Sequence, residues 1–220
     1  MSQSEFNCTD ACVHPFPAGD TSVRRFAIEA KELGFDSIVC TGLLDHVPDA
    51  AIHVYSGMII HEYPINAVIR KVKKYSGKTD VVIVDAGDAA FNRAAVSYNG
   101  IHILRGVHRL RKNSFDHVAA RTAAEKNVAV DLDIRPLIYK RGSARQKVFQ
   151  CYSDLMRLHN RYEFPLTISG NASSYLDLRS ERGICSLCSI FGLDEDGVSY
   201  AMGNVSRLLN RAKVVEVIEE

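Results

Sequence analysis

Two side chains near the N-terminus have the types and spacing to act on one atom. In Asp10-Ala-Cys12-Val-His14-Pro15, Cys12 and His14 stand two residues apart, so a strand would turn both to the same side. Thiolate and imidazole are both metal ligands, and Asp10 adds a carboxylate. Asp45-His46, His61-Glu62, Asp85, Asp88 and His102 follow along the chain. Brought together at strand ends, this donor set suits a metal-dependent hydrolase. Eight histidines in 220 residues are only a mild excess, so the same residues also read as scattered polar positions. Cys185-Ser-Leu-Cys188 has the spacing of half a zinc site, but no second such pair completes it. Cys188 falls on an apolar helical stripe, where a free cysteine behaves as a small hydrophobe. No P-loop, Gly-x-Ser-x-Gly elbow or dinucleotide fingerprint occurs.

The elements that would position these groups alternate almost from end to end. Apolar runs at Asn7 to Val13, Ser37 to Thr41, Tyr55 to Ile60, Asp80 to Asp85, Ile101 to Leu104, Val128 to Leu132 and Leu166 to Ser169 read as strands. Between them lie stripes of helical period. These are Val23/Phe26/Ala27/Ala30, capped by Thr21 or Ser22 and stopped by Gly34, and Ile65/Val68/Ile69/Val72, closed by Gly77. Gly87 to Asn99 reads as a helix, as do Phe115/Val118/Ala119/Thr122 and Val148/Cys151/Tyr152/Leu155. Two helices end the chain, one through Ile184, Leu187, Cys188 and Phe191, the other through Val198, Ala201, Met202 and Val205. Continuous apolar strands alternating with amphipathic helices call for a parallel sheet covered by helices. A doubly wound sheet would show a Gly-rich turn after its first strand, and none is present. The expected architecture is a single α/β (β/α) TIM-like barrel of seven to ten strands, irregular in detail. It spans 1–220 as one domain, with short flexible ends near 1–5 and 214–220. In such a barrel, chemistry belongs at the C-terminal ends of the strands.

Apolar residues make up 46% and charged residues 24%, which excludes disorder and fibrous classes. The N-terminus lacks a signal-peptide apolar core, and no apolar run approaches the ~20 residues of a membrane span. Six cysteines are too sparse for a disulfide scaffold. A reduced, cytoplasmic protein is expected, in which the Asn171-Ala172-Ser173 sequon carries no weight. The net charge of +1, taken alone, argues against a nucleic-acid binder. Its distribution argues the other way. Between Arg105 and Lys147 lie 11 basic and 4 acidic residues, a net of +7, whereas the other 177 residues carry 16 basic and 22 acidic, a net of −6. Arg109, Arg111 and Lys112 form one cluster, and Lys140, Arg141, Arg145 and Lys147 another. Cations held on a scaffold suit a phosphate backbone, because each neutralised phosphate releases counterions. Trp is absent, and Tyr139 is the one aromatic beside the second cluster in sequence, which points away from base stacking as the main mode.

Five stretches, in order, resemble the archaeal ribonuclease P protein component 3 family. They are Asp10 to Pro17, Asn92-Arg93-Ala-Ala-Val96, Asp116 to Val130 with Arg121 inside it, Ile134-Arg135-Pro-Leu137, and Ile168 to Ala172 continuing to Asp177-Leu-Arg179-Ser. The likeness covers roughly residues 8 to 210. It implies a TIM-like barrel related to the polymerase-and-histidinol-phosphatase metallohydrolases, and a role in the ribonucleoprotein that cleaves the 5′ leader from precursor tRNA. It further implies that the RNA subunit performs the hydrolysis with magnesium. The protein would pair with protein component 2, work beside the other protein subunits, and carry no cofactor of its own. The metallohydrolase relatives begin Asp-x-His-x-His, and here Cys12 stands at the first His position. Thr41-Gly42-Leu43 stands where they place Thr-Asp-His. Asp10, Cys12 and His14 are therefore expected to be a vestige, since a multinuclear site needs most of its ligands.

The isolated chain is expected to be non-catalytic within an endoribonuclease holoenzyme. RNA contacts are expected from the arginines inside the matching motifs, Arg93, Arg121, Arg135 and Arg179, whose planar forks can grip phosphate oxygens. Lys112, Lys140, Arg141 and Arg145 support them on charge alone. Each arginine could instead pair with Asp85, Asp131, Asp133 or Asp177. The competing reading is a stand-alone metal-dependent phosphoesterase using Asp10, Cys12 and His14.

Overall fold

A computed structural model describes residues 8–42, 50–111 and 114–216. Seven strands form one sheet: β1 (Thr9–Val13), β2 (Ser37–Thr41), β3 (His53–Ile60), β4 (Val81–Asp85), β5 (Ile103–Arg105), β6 (Ala129–Asp133) and β7 (Leu166–Ser169). They lie in sequence order and every neighbouring pair is parallel. The helices among the described residues are α1 (Val23–Glu32), α2 (Ile65–Tyr75), α3 (Ala89–Ser97), α4 (His117–Lys126), α5 (Arg135–Tyr139), α6 (Gly142–Tyr162), α7 (Glu181–Cys188), α8 (Glu195–Met202) and α9 (Asn204–Glu216). This is the expected TIM-like barrel, with seven strands. None of the described helices is long and apolar enough to cross a membrane.

Strand period 2 divides the core in two. Ile38, Val82, Val84, Leu104, Val130 and Ile168 face outward and pack against helix residues such as Phe26, Ala30, Val68 and Ala95. Val39, Val81, Ile83, Ile103 and Ala129 face inward, where Val205 and Leu208 of α9 join them. The C-terminal helix thus plugs the barrel interior rather than adding to the outer ring.

The barrel closes between β7 and β1 without a regular ladder. Only one parallel bridge, Val13 to Ala172, joins them, and His14 N–H donates to the Ala172 carbonyl at 2.7 Å. Side chains complete the seam. The buried Asp10 carboxylate accepts from Gly170 N–H at 3.1 Å and from Cys12 N–H at 3.0 Å. Asn204 donates from Nδ2 to the Leu166 carbonyl at 2.8 Å. A Cβ on residue 170 would lie 2.6 Å from Asp10 Oδ2, so this close approach requires glycine.

Several boundaries differ from the expected ones for local reasons. Asp88 accepts from Phe91 N–H and starts α3 at Ala89, not Gly87. Asp116 caps α4 by accepting from Val118 and Ala119 N–H. That places Phe115 ahead of the helix, leaves Val118 exposed, and makes Ala119, Ala120 and Ala123 the buried face. Helix α5 is additional, begun through Pro136 in its first turn. Three helices, not two, end the chain, because the second expected one divides: α8 ends at Met202 with Gly203 as its C-cap, and α9, with Val205, starts at Asn204. Helix α9 continues to Glu216, into the end expected to be flexible, while residues 1–5 lie outside those described.

Candidate functional site

Inward parity places the last residues of β4, β5 and β6 (Asp85, Arg105 and Asp133) at the C-terminal mouth of the barrel, with Asp85 and Arg105 in register. The Arg105 side chain is 8% exposed. Its Nε donates to Asp85 Oδ1 at 2.6 Å, and its Nη1 reaches Asn171 Oδ1 at 3.4 Å and Cys12 Sγ at 3.6 Å. His61 Nδ1 bonds the other Asp85 oxygen at 2.6 Å. Burial works against charge on Asp85, but Arg105 and then His61 outweigh it, and its pKa falls below the usual carboxylate value.

Asn171, held in the left-handed region at φ +47°, ties the mouth together. Its Nδ2 donates to Asp133 Oδ2 at 2.9 Å, and its Oδ1 bonds His14 Nε2. His14 Nδ1 in turn meets Thr41 Oγ1 at 3.0 Å. Because Asn171 Oδ1 can only accept, the ring proton is assigned to His14 Nε2. Burial lowers the His14 pKa in spite of the Asn171 bond, in keeping with a neutral ring. Deeper in, Asp131 accepts from Thr167 Oγ1 at 3.1 Å and Ser169 Oγ at 2.7 Å. Burial raises both Asp131 and Asp10 to about 7.

These residues do not fit a divalent ion. Asp10 faces the seam, both His14 nitrogens are engaged, burial pushes the Cys12 thiol up against the pull of Arg105, and Asp85 is neutralised by a guanidinium. Among the described residues no group of three or more His, Cys, Asp or Glu could hold a metal. The other candidate donors disperse. His102 precedes β5, at the opposite end of the barrel, and accepts from Val82 N–H at 3.0 Å. Asp88 caps α3, and Glu62 pairs with Lys71. Asp45 and His46 lie outside the described residues. Cys188 is core, as its stripe predicts.

The basic clusters converge. Arg109 ends a 3-10 turn at Val107–Arg109 after β5 and is 45% exposed, 3.9 Å from Asp85 and 4.0 Å from Asp133. Arg111 is exposed, and Lys112 lies outside the described residues. Lys140, Arg141 and Lys147 are exposed after α5, whereas Arg145 is half-buried with its guanidinium over the Phe149 ring. His108 lies between the two clusters, its Nδ1 3.0 Å from Tyr152 Oη. Burial lowers its pKa to about 4, helped by the charges of Arg109, Lys140 and Arg105. The segments after β5 and β6 thus bring Arg109 and Lys140 to one ring, with Arg111 and Arg141 exposed next to them in sequence.

The motif arginines divide. Arg135 lies at the mouth, donating to the Asn171 carbonyl at 2.8 Å and Ser173 Oγ at 3.1 Å. Arg179 donates to the Leu176 and Leu178 carbonyls and shapes the loop after β7. Arg93 pairs with Asp116, joining α3 to the cap of α4. Arg121 pairs with Glu125 one turn along α4 at 2.9 Å. Arg105 and Asn171, the centre of the site, have no candidate role in the sequence, although Asn171 falls inside the last matching stretch. The available signal was parity: Arg105 closes an apolar strand exactly as Asp85 closes the strand before it.

A family model described as RNase P subunit p30 matches residues 7–215. The chain belongs to the RNase P subunit p30 family. It is 29% identical to ribonuclease P protein component 3 of Methanosarcina barkeri, covering 96% of this chain and 95% of that one. With the protein of the same name from Methanococcoides burtonii the identity is 30%, over 88% and 83%. The p30-family barrel superposes on a chain of an archaeal ribonuclease P structure with mature tRNA at TM-score 0.77 and 20% identity, covering 96% of this chain and 94% of that one. A putative histidinol phosphatase from Listeria monocytogenes shares the fold at TM-score 0.52 and 9% identity, over 77% and 97%. In this p30-family chain, Arg105 occupies the middle of the acids at the mouth, and the cations open to solvent stand beside it.

Proposed function

We propose that this p30-family chain serves ribonuclease P as a non-catalytic subunit that supports the RNA. The observation that carries this is the approach of Arg109 and Lys140 to His108, with Arg111 and Arg141 exposed beside them in sequence, next to a mouth where Arg105 pairs with Asp85. The partners are the ribonuclease P RNA, protein component 2 and the other protein subunits, with precursor tRNA as substrate of the whole enzyme. Hydrolysis belongs to the RNA subunit and its magnesium. The working location is the cytoplasm. Among the sequence candidates, Lys140 is our first choice to meet phosphate, followed by Arg141, one nitrogen of which bonds the Ile138 and Lys140 carbonyls, and Arg135, which pairs with Asp177. Arg145 contributes less because of its packing on Phe149, and Arg93 and Arg121 act mainly within the fold. Lys112 belongs to the same basic loop by sequence.

Reconstitution tests the proposal. The holoenzyme assembled with every component should cleave precursor tRNA at lower magnesium than the same mixture without this chain. Equal cleavage at every magnesium concentration would end it. The stand-alone phosphoesterase reading finds no support at the mouth, where Asp10, Cys12 and His14 are all engaged within the protein.

A further inference from the structure

We infer that the C-terminal rim of the barrel is a stacking platform for unpaired RNA bases, built from Phe16, Leu176 and Tyr139 beside the cations that follow α5. This rests on the proposed RNA-supporting role and deepens it, because charge alone predicts contact with paired and unpaired backbone alike.

The three side chains are 73%, 70% and 52% exposed. They stand in the loop after β1, in a 3-10 turn after β7 and at the end of α5 after β6, segments that follow one another around the barrel. Large apolar side chains grouped in the open mark contact surfaces. Their loops are bonded to one another. Asp20 N–H donates to the Ser173 carbonyl at 2.9 Å, and Tyr175 N–H donates to Thr21 Oγ1 at 3.0 Å. Tyr139 Oη donates to Asp177 Oδ1 at 2.5 Å. A Cβ at Gly19 would fall 2.2 Å from the Ser173 carbonyl oxygen, so the loops after β1 and β7 meet backbone to backbone. The side chains therefore stand on a fixed base and lose little freedom on binding.

Charge selects the occupant. The Arg135 guanidinium lies 5.4 Å from the centre of the Tyr139 ring, and Lys140 and Arg141 are exposed next in sequence. A ligand with flat apolar faces and a regular run of negative charge fits both halves of this surface. Single-stranded RNA has both, and aromatic stacking of successive bases beside a cationic track is how such strands are held. A paired helix offers phosphates but hides its base faces. In sequence Tyr139 stands alone beside the basic cluster; folding supplies Phe16 and Leu176 from distant parts of the chain.

The test uses the full chain, a short fluorescent oligouridylate and a fully paired RNA hairpin, read by anisotropy over a salt series. Phe16→Ala and Tyr139→Ala should each weaken oligouridylate binding about tenfold and leave hairpin affinity and the salt slope unchanged. Tyr139→Phe, which keeps the ring and loses the Asp177 bond, should bind like the parent. Thermal unfolding confirms that each variant is folded. Unchanged oligouridylate affinity in the folded Phe16→Ala/Tyr139→Ala double variant overturns the platform, as does an equal loss on the hairpin. Loss of the protein subunits from a reconstituted assembly, with oligouridylate binding intact, overturns it in favour of a protein-docking rim. The underlying RNA role fails separately, if Lys140→Ala/Arg141→Ala changes binding of neither probe.

Discussion

Arg105 and Asp85 end neighbouring strands in register and are joined from Nε to Oδ1 at 2.6 Å inside the barrel mouth. The pair is enclosed, so its two halves have unequal consequences when removed. Arg105→Met leaves the Asp85 carboxylate, 24% exposed, with His61 and Arg109 as its remaining partners and should cost about 1–3 kcal/mol in chemical denaturation. Arg105→Met with Asp85→Leu removes both charges and should cost less than the single change. A double variant less stable than Arg105→Met would show that the pair is not what the mouth depends on.

The two acids raised to about 7, Asp10 and Asp131, set a pH dependence of definite sign. A carboxyl whose folded pKa lies above its unfolded value holds more protons when folded. Its contribution to stability is complete below about pH 4 and is lost as the pH rises through about 7. Asp131→Asn should narrow the difference in urea midpoint between pH 5 and pH 7.5. An unaltered difference would mean that Asp131 titrates normally in the folded protein.

Salt dependence separates the cations. Neutralising Lys140, Arg141 and Arg145 together should flatten the slope of RNA affinity against salt by about 1 per lost phosphate contact. Because Arg145 packs on Phe149, the Lys140/Arg141 pair alone should account for most of that change. Arg121→Ala, on the outer face of α4, should leave the slope near the parent value. A slope that the triple change does not move would place this cluster away from RNA.

The seam offers a mechanical test. Asn204 on α9 satisfies the Leu166 carbonyl of β7, and both groups are buried. Asn204→Ala should cost about 1–3 kcal/mol and should raise amide hydrogen exchange along β7 and β1 more than along β4. Uniform acceleration across the sheet would show that the seam opens only with the whole barrel.

Much of the barrel was legible because its information is local. The ranges of β2 and β7 follow from short apolar runs, and Ser22 and Gly34 bound α1 by their own backbone preferences. Val118 is exposed although it lies on the stripe, because a helical period does not say where the helix starts, and Asp116 sets the start. The site was harder to read. Arg135 was found through its motif, but Arg93, just as prominent, is tied to a helix cap. Arg105 and Asn171 meet across 66 residues, and no periodicity reports a contact of that span. The +7 block is visible as a number, whereas the approach of Arg109 and Lys140 to His108 depends on β5 and β6 being neighbours.

The hold on Asn171 has a practical consequence for making the protein. Asn171-Ala172-Ser173 is an acceptor for N-linked glycan, and the atom that would carry the sugar, Nδ2, is the one that donates to Asp133. In a eukaryotic secretory host, modification before folding would remove that donor and push a bulky sugar into the barrel mouth. Bacterial or cell-free expression keeps the amide available for the bond on which the mouth is built.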